Sequence, residues 1–326
     1  MVSGVAEPVA RALRRDGAVR RFFFVRYNLG GPHVRLRLEA APGRGGEVAA
    51  RVREAADEFF ARQPSLEPLP DEAVRRGNRA ILADDPLATI GEDTVYPDNS
   101  LHECPAAFEV ERYGGPRLLR HSLEYFAVSS VAVMRFLAAH GGEPASGARL
   151  TGGARMVVRQ AWGLAHDAAG FVDLLEHAVW LMGEPLARFA AEGERAFESR
   201  GAPLVRLIRD EIAELSAGAE RAGAAGALDR AARSLAWSVR GAPAERRQAI
   251  AYSHLHMTSN RLGMLNPEEV YLGRMLGLAA RALAAEDAPF WAGAWAAHRT
   301  RPARGERLAA MAAAAMDAMD GAEEGR

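Results

Sequence analysis

The stretch "VRRFFFVRYNLGGPHVRLRLEA", residues 19–40, decides the fold. Residues 19–27 are aromatic and β-branched, and too apolar in the middle for a surface loop, so they predict a strand. After the turn NLGGP, His33, Arg35, Arg37 and Glu39 alternate with Val34, Leu36 and Leu38. That period of two predicts a second strand over 33–39, with one oily and one charged face. Two strands joined by a Gly-rich loop of moderate length read as a hairpin. Arg35 and Arg37 then leave one face about 7 Å apart. Two guanidinium forks at that spacing suit carboxylates or phosphates. A solvated sheet face is the competing reading, and His33 belongs equally well to the turn.

Outward from the hairpin, residues 6–16 predict a short helix. Residues 44–63 predict another, with Val48, Val52, Ala55, Ala56, Phe59 and Phe60 at helical spacing. The prolines and acids of 64–105 predict loop with short irregular elements. "AFEVERY", residues 107–113, predicts a third strand entering the turn Gly114-Gly115-Pro116. Val110 and Arg112 would share one face of it, Glu109 and Glu111 the other. Beyond Gly115, helical patterns cover 116–139, 150–164, 169–193, 202–217, 226–240, 243–262, 267–285 and 288–299. Asn266 reads as an N-cap followed by Pro267, with a glutamate at the third helical position, and Gly263 as the stop of the helix before it. The fold class is α+β. A small antiparallel β-rich part, 1–115, is expected to pack on a mainly helical part, 116–300, of the same compact domain, with a weakly structured tail at 301–326.

Charge and cysteine usage exclude whole classes. Of 326 residues, 41 are basic, every one an arginine, and the net charge is −1. No Schiff-base, pyridoxal-phosphate or P-loop lysine exists. The balance gives no pull toward nucleic acid or membrane. Cys104 is the single cysteine, so an internal disulfide, a CxxC pair and a cysteine zinc knuckle are all out. His102-Glu103-Cys104-Pro105 resembles a zinc deaminase element but lacks the second cysteine pair. No signal segment and no apolar run long enough to span a bilayer is read from the sequence, and the expected location is cytoplasmic.

A third stretch carries candidate chemistry: "YSHLHMTSNRLG", residues 252–263. On a helix Tyr252, His256 and Asn260 stack on one face, with Ser253 and Ser259 three positions either side of His256. His254 and His256 lie roughly 200° apart around the axis and cannot share a metal. From this segment alone His256 reads as a hydrogen-bonded core histidine.

In this order, "FFFVRYNLGGPHVRLRL", "FEVERYGGP" and "SHLHMTSNRLG" resemble the C-terminal domain of lanthipeptide dehydratases. The same domain is found free-standing in thiopeptide-type bacteriocin biosynthesis. The resemblance runs from about residue 20 to about residue 285. It implies elimination of glutamate from glutamylated Ser or Thr of a ribosomally made precursor peptide, leaving dehydroamino acids. The implied catalytic residues are Arg35, Arg37, Arg112 and His256, expected to line one pocket. Tyr252, Ser253, Asn260 and His33 are the expected substrate contacts. No metal or organic cofactor is implied. The implied partners are the precursor peptide and a separate glutamylating dehydratase subunit, since the chain has no room for the large glutamylating domain. No nucleic acid or membrane is involved directly, and a homodimer stays open.

Two other readings stand beside elimination. Free-standing relatives also act as pyridine synthases, joining two dehydroalanines by a formal [4+2] cycloaddition with loss of the leader. The three arginines favour elimination, because a cycloaddition has no glutamate to hold. The last reading is a non-catalytic binder of the precursor peptide that scaffolds a dehydratase.

Overall fold

A computed structural model describes residues 1–83, 90–182, 184–217, 223–300 and 308–320. The chain divides into two compact units, the first Met1–Val110 and the second Glu111–Ala318.

The first unit is built on the predicted hairpin. β1 (Val19–Tyr27) and β2 (His33–Ala40) pair antiparallel, with Phe22 opposite Leu38, Phe24 opposite Leu36, Phe23 opposite Arg37, Val25 opposite Arg35 and Tyr27 opposite His33. Residues directly opposite each other share a face. One face therefore carries Phe22, Phe24, Val34, Leu36 and Leu38, with Arg26 at its end, and the other carries Arg21, Arg35 and Arg37 beside Phe23 and Val25. Phe22 and Phe24 are buried, each contributing roughly 2–3 kcal/mol. α1 (Glu7–Arg15), entered through a short π-helix at Val2–Ala6, buries Val9, Ala10 and Leu13. α2 (Gly45–Arg62) follows the hairpin as predicted.

The turn depends on an element the sequence reading takes for loop. α3 (Asp71–Leu82) lies inside the stretch 64–105. Its buried Asn78 accepts from the Gly30 N–H at 2.7 Å and donates to the carbonyls of Glu92 and Thr94, each at 2.8 Å. The Tyr96 N–H returns to the Gly30 carbonyl at 2.9 Å. Gly30 has φ +83, and a Cβ there would lie 2.5 Å from the Tyr96 ring, so backbone conformation and space both demand glycine. The mid-helix pair Gly77-Asn78 and the flanking prolines hide α3 from a propensity reading.

The third predicted strand does not form. Residues 101–109 have no regular structure and 110–114 make a turn, with the Gly114 N–H donating to the Glu111 carbonyl at 3.0 Å. A strand needs a ladder partner, and β1 and β2 are the only strands among the described residues.

The second unit is helical: α4 (Pro116–Ala139), α5 (Ser146–Leu164), α6 (Ala168–Leu175), α7 (His177–Met182), α8 (Ala187–Ser216), α9 (Gly223–Val239), α10 (Ala244–Leu262), α11 (Asn266–Glu286), α12 (Ala288–Thr300) and α13 (Leu308–Asp320). α4 packs on α9 and α10, and α11 runs along α8. α4 is long and apolar enough to cross a membrane by length and composition, which corrects the expectation that no such run exists. It is instead a core helix, burying Tyr125, Val128, Val131, Met134 and Leu137.

The predicted helix 169–193 is broken into α6, α7, a 3-10 turn at Glu184–Leu186 and the start of α8. At the first break Glu176 turns inward, accepting from Arg274 at 2.9 Å and from Arg281 at 2.8 and 2.9 Å. α8 then runs unbroken through the predicted gap at 194–201, carrying Pro203 inside it. The helical stretch of the tail is α13; the tail residues 301–307 and 321–326 lie outside the described residues.

Candidate functional site

α10 places the third motif. Gly263 ends it in the left-handed conformation at φ +81, with Met264 N–H donating to the Ser259 carbonyl at 3.1 Å, the predicted stop. Its faces separate as the 3.6-residue period requires. Ser253, His254, Thr258 and Arg261 are buried, while Tyr252, His256 and Asn260 are half-buried along one stripe.

His254, not His256, is the core histidine. It is fully buried among the rings of Tyr113, Tyr125 and Phe126, with Nε2 3.0 Å from Ser122 Oγ. Burial, reinforced by the nearby Arg261 charge, pushes its pKa well below the usual imidazole value. Arg261 is also fully buried, donating to Ser129 Oγ at 3.1 Å and to the Met257 carbonyl at 3.0 Å, its guanidinium over Phe126.

His256 faces a carboxylate. Its Nδ1 lies 2.8 Å from Glu269 Oε2, and the other oxygen, Oε1, lies 2.7 Å from Nε2 of His177. Glu269 is 2% exposed and His177 is 1% exposed, whereas the His256 side chain keeps 18%. One end of the chain of three therefore reaches solvent. Burial pushes the His256 pKa down, but the charge and hydrogen bond of Glu269 outweigh it, and the net shift is upward. Arg112 and Arg261 oppose that rise. Burial pushes Glu269 up, and the His256 charge with the two imidazole hydrogen bonds overcomes it, holding the carboxyl at about 2.

The sequence spacing makes Glu269 the capping glutamate of α11. The cap sits one residue earlier: Leu265 precedes the helix, and its N–H donates to Glu268 Oε2 at 2.9 Å. Two consecutive glutamates open the helix and one suffices as a cap. The spare carboxylate is the signal that a sequence reading could have followed. His177 left no such trace.

Arg112 sits in the 110–114 turn rather than on a strand, and its charge acts on His256. The turn is pinned to α10 at two points. Tyr113 Oη and Ser253 Oγ are 2.8 Å apart, and Arg246 donates to the Glu111 carbonyl. The Tyr252 hydroxyl accepts from Gln248 at 2.6 Å. Burial first, then the charge of Asp173, raise its pKa to about 12, so it stays a phenol. The second unit thus gathers Arg112, Tyr252, Ser253, His256 and Asn260.

The remaining predicted residues are grouped on the first unit. Arg35 stacks over Tyr27 at 3.6 Å and donates from Nε to His33 Nε2 at 3.0 Å. His33 Nδ1 lies 2.7 Å from the Gly31 carbonyl, to which it donates. A ring that donates there and accepts from an arginine is neutral. Burial, followed by the charges of Arg35 and His102, accordingly lowers its pKa despite the Gly31 bond. Arg37 lies over Phe108 at 5.2 Å, and burial and the Arg35 charge lower its pKa. Arg21, on the same face, is paired with Glu39 at 2.5 Å. Arg35 and Arg37 have no carboxylate partner among the described residues. No grouping of His, Cys, Asp and Glu among the described residues has the form of a metal site.

The model of a protein family described as the lantibiotic biosynthesis dehydratase C-terminal domain matches residues 1–280. Among solved structures, the chain is similar to the pyridine synthase TbtD from thiomuracin biosynthesis. The TM-score is 0.69 at 16% identity, over 87% of this chain and 93% of TbtD. It is also similar to TsrL, with a TM-score of 0.53 at 17% identity, over 92% of this chain and 94% of TsrL. At these identities the likeness is one of fold. No curated protein matches the chain.

Proposed function

The chain belongs to the lantibiotic biosynthesis dehydratase C-terminal family, and we propose that it eliminates glutamate from glutamylated Ser or Thr of a precursor peptide. The observation that carries this reading is the pair Arg35 and Arg37. Two adjacent guanidinium groups repel each other, and Arg37 is held in that repulsion partly out of water. Such a pair is stabilised by an anion brought from outside.

In the reaction a base takes the Cα proton, the Cα–Cβ double bond forms, and the Cβ–O ester bond breaks. Glutamate departs as a carboxylate. Arg35 and Arg37 hold carboxylates of the glutamyl group, Arg112 adds a third positive charge, and His256 hydrogen-bonds the departing oxygen. Tyr252, Ser253, Asn260 and His33 are assigned to the peptide. The chemistry calls for proton transfer and positioning, without metal or organic cofactor. The peptide is glutamylated by a separate subunit, and the work is done in the cytoplasm.

Pyridine formation is the second reading, supported by the match over 93% of TbtD. The two readings separate by mass spectrometry of two peptides. Elimination predicts that a glutamylated precursor loses one glutamate per modified residue. A protein that leaves this peptide unchanged, yet converts a bis-dehydroalanine peptide to a pyridine with loss of the leader, is a cycloaddition enzyme.

A further inference from the structure

The chain His177, Glu269, His256 joins three helices, α7, α11 and α10, and its hydrogens can be counted. His177 Nδ1 lies 3.0 Å from the Leu174 carbonyl, which can only accept, so this nitrogen carries a hydrogen. Glu269, ionised and buried, accepts at both oxygens, from His177 Nε2 at 2.7 Å and from His256 Nδ1 at 2.8 Å. His177 therefore donates from both nitrogens and balances the carboxylate. His256 donates inward from Nδ1. Its Nε2 is left as the reacting nitrogen, on the only member of the three that reaches solvent.

We infer that Glu269 and His177 are positioning residues that fix His256 with Nδ1–H turned inward, making Nε2 the base that removes the Cα proton. The chemistry rests on the elimination reading. The proton moves from Cα to Nε2, the C–H pair becomes the Cα–Cβ double bond, and the Cβ–O pair leaves with glutamate. The new Nε2–H then hydrogen-bonds the departing carboxylate. One histidine thus serves both halves of the step, and its inward nitrogen never has to exchange. Glu269 makes Nε2 more basic. The charged groups acting on His256 are Glu269 of α11, Arg112 of the 110–114 turn and Arg261 of α10 itself, with His177 of α7 acting through Glu269.

The test is a side-chain nitrogen NMR titration of the full-length protein labelled with ¹⁵N-histidine, in wild type, Glu269→Gln and His177→Gln. The wild type is expected to show His256 protonated at Nδ1 throughout, with Nε2 titrating. Glu269→Gln should move the midpoint down by about one to three pH units, the effect of losing one close opposite charge. His177→Gln keeps a hydrogen-bond donor but drops the charge, and should move it up. In the acid range the pH–rate limb for glutamate release should follow the same midpoints. An Nε2–H tautomer, shifts in the same direction, or no shift in either variant overturns the inference. Should His177→Gln not fold by circular dichroism, His177→Asn takes its place, and the wild-type tautomer with Glu269→Gln still decides. If the tautomer and both shifts appear but wild type releases no glutamate, the elimination reading fails while the positioning roles stand.

Discussion

The charged face of the hairpin and the exposed face of α10 handle buried charge in opposite ways. On the hairpin, Arg35 and Arg37 sit side by side, one on an aromatic ring and a histidine, the other near Phe108, with no acid among the described residues to answer them. On α10, His256 meets a carboxylate that a second histidine already balances. The first arrangement has no carboxylate of its own among the described residues. The second is complete in itself and sets the state of one nitrogen. Removing a hairpin arginine should therefore cost function and little stability, and removing the buried carboxylate should cost both.

The largest expected effect tests that contrast at Glu269. Glu269→Ala leaves the buried His177 and the half-buried His256 without their carboxylate and should lower folding stability by about 3 kcal/mol or more in urea unfolding. The pH dependence follows from the same group. Its carboxyl falls from an ordinary 4.5 to about 2 in the folded protein, so its contribution is present above 4.5 and is lost as pH falls toward 2. For His256, raised from 6.5, the matching contribution is full below 6.5 and fades as pH rises through its folded value. Wild type should show this extra stability between those limits, and Glu269→Gln should flatten it.

Next in size, Arg37→Ala should slow glutamate release about a hundredfold, the usual effect of removing one charge-assisted contact. Its thermal midpoint should stay near wild type. Arg37→Lys should rescue poorly, because an ammonium lacks the planar fork. A large stability loss in Arg37→Ala would break the comparison by making the hairpin pair structural. Gly30→Ala is expected to destabilise by about 2 kcal/mol from backbone strain alone, with the Tyr96 contact adding to it. The smallest effect is at Tyr113→Phe, which gives up the bond to Ser253 for about 1 kcal/mol.

The hairpin was legible because a period of two runs cleanly from His33 to Glu39 and needs only a turn to pair it. Most helices were legible for the same reason, at period 3.6. The segment 107–113 carried the alternation without a partner, and periodicity cannot report whether a ladder exists. α3 was hidden because its purpose is local: Asn78 is a poor helix former placed mid-helix to hold the Gly30 turn. The stripe of Tyr252, His256 and Asn260 followed from spacing on α10. The groups that set the state of His256 did not. Glu269 looked like a cap, and His177 lies 92 residues from it along the chain, a pairing that only tertiary packing makes.

The central claim of the elimination reading we propose is that Arg37 and His256 serve the same chemical step, the release of glutamate. A double-mutant cycle in single-turnover release from a glutamylated peptide measures it directly, using Arg37→Ala, His256→Ala and the pair together. The account predicts that each single variant loses about a hundredfold or more, and that the double variant loses no more than the worse single. Losses that multiply in the double variant would contradict it, since the two residues would then be serving separate steps.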